Sequence, residues 1–335
     1  MSPERAVRRP VVIYGDAFAD RAGELQRALG PDFPVTALPT GRPLAERQAM
    51  LDSAFAVVAV GTDPQLPFPP SIALVQVPGI GWDSIDLAQL SAATPLANVG
   101  GHETGVAEYC MAQMLEWRHR LGPAAASFRA GSWERSSRYG ALPHCELAGA
   151  TAGIVGYGAI GRALARRLAA FEVRVLASNR SPLADAAPLD RLYPLAETAA
   201  MLAQCDFGIV AIALTPDTEG LIGAPELAAL GADGVLINVA RGPVVAEAPL
   251  WQALDSGRLG GAILDVWYRY PDAGDPDRAP AAFDFAALPN VVMTPHVSGW
   301  TDGTASRRIA FIARNIHRVA AGEPALNIVA TGSRA

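Results

Sequence analysis

Cysteine is scarce in this 335-residue chain, which contains only Cys110, Cys145 and Cys205. The three residues lie far apart, form no CxxC pair and share no spacing with histidines or carboxylates that is typical of a metal site. This pattern excludes a disulfide framework, and the sequence predicts no bound metal. We expect the thiols to be reduced and to pack as buried apolar residues.

Charge and long apolar runs are also limited. Charged residues make up 18% of the chain and the formal net charge is −6, which gives no electrostatic basis for binding nucleic acid or an anionic membrane. No apolar run approaches the ~20 residues that a membrane-spanning helix needs. Arginines occur between Met1 and Pro10, but no apolar segment of the signal-peptide type follows them. We therefore expect a cytoplasmic protein.

The length suggests about two domains, and the apolar pattern assigns both to the α/β class. Short β-branched runs alternate with amphipathic segments through the first hundred residues, and a second series of this kind starts at Ala152. Continuous apolar runs, such as Phe55 to Val60, are typical of buried parallel strands. The sequence predicts two doubly wound parallel-sheet domains, with a Rossmann cofactor domain inserted in a flavodoxin-like substrate domain.

The last amphipathic helix, Gly303 to Ala321, sets the predicted domain boundaries, because it follows the second series and is expected to return to the first domain. Residues 1–100 and 300–335 then form the substrate domain, and residues 101–299 form the dinucleotide-binding domain. Four strands are predicted in the first series and six in the second. The segments expected to be irregular are residues 122–147 and Asp272–Ala282.

A glycine-rich motif gives the first chemical signal. Gly156-Tyr157-Gly158-Ala159-Ile160-Gly161 follows a short apolar strand and opens a predicted helix. In this setting the first glycine permits a tight turn, the second lets a pyrophosphate approach the backbone, and the third lets helix and strand pack closely. The helix N-terminus then faces the phosphates. The motif predicts a bound dinucleotide, and a purely structural glycine turn is the alternative. The cofactor-binding residues from this motif are Gly156, Gly158, Ala159, Ile160 and Gly161.

The end of the next strand bears on the choice of cofactor. Chains that bind NAD usually carry Asp or Glu there, whereas this chain has Asn179 followed by Arg180 and Ser181. A carboxylate would repel a 2′-phosphate, while amide, guanidinium and hydroxyl groups can bind one. These residues therefore favour NADP(H), with NAD(H) left open.

Five further segments resemble signatures of the D-isomer-specific 2-hydroxyacid dehydrogenases. They occur in the family's order and extend the resemblance over nearly the whole chain. The segments are Gly79 to Asp86, Val106 to Glu108, Asn238 to Val245, Gly261 to Trp267 and Thr294 to Gly299. The match is specific at family level and does not identify the substrate.

The resemblance implies hydride transfer between a small 2-keto acid and its D-2-hydroxy acid. Arg241 would hold the substrate carboxylate and stabilise the developing alkoxide with its planar fork. His296 would donate the proton in reduction or remove it in oxidation. Outside these motifs, a surface ion pair and an ordinary loop histidine would be the simpler interpretations.

The same resemblance implies several binding residues. Gly79, Ile80 and Gly81 would form a nest of backbone amides for the substrate carboxylate. Asp265 would contact the nicotinamide carboxamide. The other cofactor-binding residues implied are Thr104, Leu214, Thr215, Pro216, Val239, Ala240, His296 and Gly299. Residues 122–147 and the preceding helix resemble the region through which this family dimerises, which predicts a homodimer.

Tyr270 departs from the family pattern. The family has Glu before the proline that is Pro271 here, and that Glu pairs with the catalytic histidine. A tyrosine can orient the imidazole through its hydroxyl but brings no charge near neutral pH. Tyr270 is therefore a candidate catalytic residue in place of the acid, and Glu108 and Asp275 are alternative partners for His296.

These residues favour an NAD(P)-dependent reductase of a small 2-keto acid. Two alternatives stay open. The first keeps the fold but oxidises formate, phosphite or a phosphonate-type acid, since relatives that oxidise formate also lack the Glu. The second is a non-catalytic protein that senses NAD(P), although the retention of Arg241 and His296 argues against it.

Overall fold

The computed structural model describes residues 8–271 and 274–334. The chain divides into two compact units, one formed by Met1–His102 with Asp302–Ala335 and the other by Glu103–Thr301. The start of the arginine-containing N-terminal segment and two residues of the predicted Asp272–Ala282 loop lie outside the described residues.

The sheet of the first unit contains five strands from the beginning of the chain and one from its end. They are β1 (Val11–Tyr14), β2 (Val35–Leu38), β3 (Ala56–Ala59), β4 (Leu74–Gln76), β5 (Pro95–Ala97) and β13 (Ile328–Thr331). Their order is β13-β5-β4-β3-β1-β2, and the pairs are parallel except that β13 runs antiparallel to β5. The five parallel strands have the flavodoxin-like order.

Helices cover both faces of this first sheet: α1 (Ala22–Leu29), α2 (Leu44–Asp52) and α9 (Asp302–Ala320). Successive residues of β1 alternate between two cores. Val11 packs in the cluster that contains residues of α1 and α9, whereas Val12 packs in the cluster that contains Leu51 of α2. This two-sided burial explains why the strands are continuously apolar.

Buried Asn315 fixes α9 to this sheet. Its side-chain amide donates to Gln76 Oε1 (2.7 Å) and to the Leu326 carbonyl (3.0 Å), and its Oδ1 accepts from the Leu326 N–H (2.8 Å). Because buried polar groups are costly unless bonded, these contacts set the position of the helix along the sheet. The end of the chain therefore packs with its beginning.

The sheet of the second unit contains seven parallel strands. They are β6 (Thr151–Val155), β7 (Arg174–Asn179), β8 (Arg191–Pro194), β9 (Phe207–Val210), β10 (Val235–Asn238), β11 (Gly261–Leu264) and β12 (Val291–Met293). Their order is β12-β11-β10-β9-β6-β7-β8. The strand order reverses between β6 and β9, and ligands of such sheets bind outside the carboxyl ends of the strands at this switch point.

Helices of the second unit also lie on both faces of its sheet. They are α3 (Glu103–His119), α5 (Ala159–Ala170), α6 (Thr198–Leu202), α7 (Ala224–Leu230) and α8 (Glu247–Asp255), whereas α4 (Leu121–Arg129) buries no residue. Buried residues of α3 and α5 share one core, and buried residues of α6, α7 and α8 share the other. The predicted α/β class with two mostly parallel sheets is confirmed.

Several local predictions were wrong. The second sheet has seven strands rather than six, because the short edge strand β8 is exposed at two of its four residues and lacks an apolar run. In the first sheet, β5 and β13 were missed, because β5 is three residues long and starts with Pro95, and β13 has no fully buried residue. Residues 122–129 belong to α4 and are not irregular, since Pro123 lies in the first turn, where its missing N–H is tolerated.

The cysteines follow the expectation only in part. Cys110 is buried and burial raises the pKa of its thiol to about 12, whereas Cys145 is exposed.

Among the described residues no group of three or more metal-ligating side chains is found. Within that same part of the chain, no helix combines the length and apolar character needed to cross a membrane.

Candidate active site

The glycine fingerprint forms the turn between β6 and α5. Gly156 has φ +96°, a conformation that side chains disfavour, and a Cβ there would lie 2.8 Å from the Ala211 carbonyl oxygen. A Cβ at Gly161 would lie 2.5 Å from the Gly156 oxygen, so this glycine lets helix and strand touch. A Cβ at Gly158 would meet no atom within 4 Å. The turn therefore has an open side at the N-terminus of α5, which fits a dinucleotide pyrophosphate.

Asn179 connects the end of β7 to this turn. Its Oδ1 accepts the Tyr157 N–H (3.3 Å), and its Nδ2 donates to the Ser181 carbonyl (2.9 Å). Arg180 and Ser181 follow it and are exposed. The end of β7 thus carries neutral and cationic side chains at the position where a carboxylate would select against a 2′-phosphate.

The Arg241 loop is held from within by Asn238, the last residue of β10. Asn238 is 1% exposed; its Nδ2 donates to the Arg241 carbonyl (3.0 Å) and its Oδ1 accepts the Ala240 N–H (3.1 Å). At Gly242 a Cβ would collide with the backbone carbonyl of Trp267, so only glycine lets this loop approach the loop after β11. The base of the Arg241 side chain is fixed by these contacts. Sequence reasoning missed Asn238, although a polar residue that ends a buried apolar strand is a usable signal.

His296 has a left-handed backbone and a hydroxyl partner. Its φ is +58°, a conformation that costs a non-glycine residue on the order of 1–3 kcal/mol. The Tyr270 Oη lies 3.0 Å from His296 Nδ1 and also accepts the Trp267 N–H (3.2 Å). The hydroxyl can donate to an unprotonated Nδ1 or accept from a protonated one.

The two acidic alternatives to Tyr270 have partners elsewhere. Glu108 pairs with Arg167 across 3.4 Å, and Asp275 pairs with Arg278 across 3.3 Å. Within the described residues, the structure therefore places a hydroxyl, and neither of these carboxylates, against His296 Nδ1.

Asp265 follows β11 and is completely buried. Its carboxylate accepts hydrogen bonds from the Thr294 hydroxyl (2.6 Å) and from the N–H groups of Val297 (2.8 Å) and Ser298 (2.9 Å). Hydrogen bonds to a charged group contribute about 1.5–3 kcal/mol each, enough together to offset the backbone strain at His296. The contact of Asp265 with the nicotinamide carboxamide stays a prediction.

The remaining predicted residues follow other strands. Thr215 lies in the loop after β9, where its N–H donates to Thr218 Oγ1 (2.8 Å). In the first unit, the Gly79 carbonyl accepts the Val99 N–H (3.2 Å) and the Ile80 carbonyl accepts from Asn98 Nδ2 (2.7 Å). The other predicted cofactor-binding residues belong to the second unit. They are Thr104 in the first turn of α3, Leu214 and Pro216 beside Thr215, Val239 and Ala240 after β10, and Gly299 after His296.

The chain contains no lysine, because its 27 basic residues are all arginine. Schiff-base chemistry on a lysine amine is therefore excluded. In this chain a histidine side chain can donate the proton and an arginine side chain can supply the cation for a carboxylate substrate. Arg241 and His296 are the residues of these two types that follow strands of the second sheet with their backbones fixed.

Comparison with known proteins shows the family of the chain. Residues 111–298 match the family described as "D-isomer specific 2-hydroxyacid dehydrogenase, NAD binding domain". The glycerate dehydrogenase of Methylorubrum extorquens is 36% identical over 260 residues, which cover 76% of this chain and 78% of that protein. The D-3-phosphoglycerate dehydrogenase of Archaeoglobus fulgidus is 33% identical over 75% of this chain, which spans only 46% of that relative.

A solved structure is similar over nearly the full length. It is the NADPH-dependent glyoxylate/hydroxypyruvate reductase of Sinorhizobium meliloti in complex with NADP and malonate. The TM-score is 0.78 at 28% identity, with 98% of this chain and 99% of that chain covered. The similarity thus includes both units of the chain.

Proposed function

The chain belongs to the D-isomer-specific 2-hydroxyacid dehydrogenases, and we propose that it is an NADPH-preferring reductase of a small 2-keto acid. The reaction of this family is the NAD(P)-dependent interconversion of 2-keto and D-2-hydroxy acids by hydride transfer. The observation that carries the finer proposal is the pair of fixed loops that present Arg241 after β10 and His296 after β12, two strands of one dinucleotide-binding sheet with β11 between them.

In the proposed mechanism the two side chains have separate tasks. A bound nicotinamide cofactor supplies the hydride. Arg241 binds the substrate carboxylate and stabilises the negative charge that develops on the carbonyl oxygen. His296 donates the proton from Nε2, since Nδ1 faces Tyr270. On the family resemblance, the amides of Gly79, Ile80 and Gly81 stay proposed substrate ligands.

The preference for NADPH rests on the end of β7. Asn179 is neutral and is bonded to the fingerprint turn, and Arg180 and Ser181 are exposed beside it. These groups favour a 2′-phosphate, which a carboxylate at this position would repel. The similar Sinorhizobium meliloti reductase is named as NADPH-dependent, which supports the proposal.

The homodimer is proposed from exposed apolar side chains. Five of the thirteen exposed large apolar side chains among the described residues lie within residues 121–142, and Leu142 is 91% exposed. In this segment the rings of Phe128, Trp133 and Tyr139 pack on one another, with successive centroids 4.9 and 6.1 Å apart. An exposed apolar cluster of this kind marks an interaction surface, for which we propose a second copy of the chain.

The first prediction concerns the reaction itself. In a screen of 2-keto acids with NADPH and NADH, we expect consumption of the reduced cofactor with at least one small acid. His296→Asn, which tolerates the left-handed backbone but cannot serve as the acid, should lower kcat roughly 10²–10⁴-fold while NADPH binding persists. Arg241→Lys should also be damaging, because an ammonium does not reproduce the bidentate fork.

His317→Ala is the matched control, because His317 contacts the Leu29 carbonyl in the first unit and has no proposed part in the chemistry. Near-normal turnover of either active-site variant would contradict the proposed roles. Turnover with formate or phosphite and no keto acid would favour the alternative donor reaction, and binding of cofactor without any turnover would favour the sensor.

The second prediction concerns cofactor choice. Arg180→Ala should weaken NADPH binding roughly 10–100-fold and NADH binding little, because a charge-assisted phosphate contact contributes about 1.5–3 kcal/mol. Arg174→Ala, at the opposite end of the same strand, is the control and should leave both affinities unchanged. Equal losses for the two cofactors, or a wild-type preference for NADH, would refute the NADPH proposal.

The third prediction concerns Tyr270 and pH. In Tyr270→Glu, a carboxylate near Nδ1 should stabilise the imidazolium and raise the pKa of His296. A raised pKa keeps the acid form populated to higher pH, so the falling limb of kcat/KM for reduction should move toward higher pH. Tyr270→Gln has similar size without charge and should not produce this shift. If the Glu and Gln profiles coincide, the side chain at position 270 does not tune His296.

The fourth prediction concerns assembly. By light scattering at micromolar concentration, the wild-type protein should have twice the 35.0 kDa mass of the chain. Trp133→Asp should shift the mass toward the monomer, because it places a charge in the apolar cluster. Phe171→Asp changes an exposed apolar residue outside the cluster and should stay dimeric. A monomeric wild-type protein would rule out the dimer.

A further inference from the structure

A chain of partly buried hydroxyl groups leads from α3 to the loop of His296. Tyr109 of α3 and Thr294, two residues before His296, lie with their side-chain oxygens 2.7 Å apart, and the Thr294 hydroxyl donates to Asp265 (2.6 Å). We propose that Tyr109 and Thr294 are positioning residues for His296, acting through the Asp265 carboxylate. This inference rests on the proposed function, in which His296 is the proton donor.

The direction of each hydrogen bond in this chain can be assigned. A carboxylate only accepts, so the single hydrogen of the Thr294 hydroxyl points to Asp265. The Thr294 oxygen must then accept the hydrogen of the Tyr109 hydroxyl. Burial raises the pKa of Tyr109, and the nearby Asp265 charge raises it further, which keeps this hydroxyl protonated as a donor. The order Tyr109, Thr294, Asp265 is therefore the only one that satisfies all three groups.

Asp265 binds the loop on both sides of His296. The Thr294 bond lies before the histidine, and the bonds from the Val297 and Ser298 N–H groups lie after it. Between them, His296 has the positive φ of +58°. A left-handed non-glycine residue persists only when its surroundings determine it strongly, and these three bonds supply that determination.

Tyr109 acts on His296 indirectly, through Thr294. Its hydroxyl contacts Thr294, while its ring packs against the buried core that α3 shares with α5. The Trp267 indole N–H donates to the Thr294 carbonyl (2.9 Å), so side chain and backbone of Thr294 are both fixed. Loss of the Thr294 hydroxyl would leave Tyr109 without its acceptor and Asp265 without the bond before His296.

The chemical consequence is a proton donor held in place. A displacement of about 1 Å in a catalytic group can lower the rate about 10²-fold, because the reacting atoms are no longer aligned. Thr294 and Tyr109 have no proposed contact with substrate or cofactor. Their removal should therefore reduce kcat, with little change in KM or in cofactor affinity.

The test uses the full-length protein and the keto acid found in the screen. Thr294→Val removes the hydroxyl at nearly constant shape, and we expect kcat to fall roughly 10–100-fold with NADPH affinity unchanged. Thr294→Ser keeps the hydroxyl and should restore most of the rate. Tyr109→Phe should lower kcat in the same direction by a smaller factor. The solvent deuterium isotope effect on kcat should rise in Thr294→Val, because proton donation becomes slower.

A double-mutant cycle separates positioning from general stability. In the His296→Asn background, Thr294→Val should cause no further loss of kcat, since the group that it positions is gone. An equal loss in both backgrounds, an equal effect of Val and Ser, or a loss confined to NADPH affinity would overturn the proposal. If Thr294→Val unfolds, Tyr109→Phe answers the same question in the same cycle.

Failure of the proposed function would give a different pattern. Full turnover of His296→Asn alone would refute the role of His296 and the positioning with it. Loss of turnover in His296→Asn together with wild-type rates in both Thr294→Val and Tyr109→Phe would refute only the positioning.

Discussion

The parallel direction of all strands in the second sheet is the constraint from which the site follows. Carboxyl ends of parallel strands meet at one edge, so residues far apart in the sequence become neighbours there. The glycine turn follows β6, Asn179 ends β7, Arg241 follows β10 and Asp265 follows β11. The fold therefore brings these groups to one edge before any side chain takes part in chemistry.

What the fold leaves to local contacts is the shape of each loop. Buried polar side chains must find hydrogen-bond partners, and here those partners are the backbones of the functional loops. Asn238 bonds the Arg241 turn, and Asp265 bonds the backbone after His296. The same contacts that avoid the cost of unpaired buried groups thus hold the proposed catalytic residues in place.

Short-range patterns made much of this arrangement predictable. The fingerprint turn could be predicted because its first and last glycines, Gly156 and Gly161, each answer a local steric demand, as their close approaches show. The alternation of apolar runs gave the α/β class. Strand β8 could not be predicted from the sequence. It is a partly exposed edge strand and lacks the burial on both faces that would make it a continuous apolar run. The restart of a helix at α4 depends on one left-handed residue, Arg120, for which the sequence gives no signal.

Contacts between distant parts of the chain could not be predicted, because local sequence patterns carry no signal for them. Tyr109 lies 185 residues before Thr294, and a tyrosine in a predicted helix indicates core packing and nothing more. The contact between Tyr270 and His296 could be suspected only because a family motif has an acid at that position. The sequence does not show how the chain bends between Trp267 and Tyr270. This bend brings the Tyr270 hydroxyl within hydrogen-bond distance of both the Trp267 N–H and His296 Nδ1.

The Tyr270 hydroxyl can orient the His296 imidazole without placing a negative charge beside Nδ1. A glutamate beside the histidine would orient the imidazole and also stabilise its cationic form. Here Tyr270 offers Nδ1 a neutral oxygen, and the buried Asp265 carboxylate spends its hydrogen bonds on the loop backbone. A neutral partner stabilises an imidazolium less than a carboxylate does. The hydrogen bonds of Asp265 with the loop backbone and of Tyr270 with Nδ1 thus secure the geometry around His296.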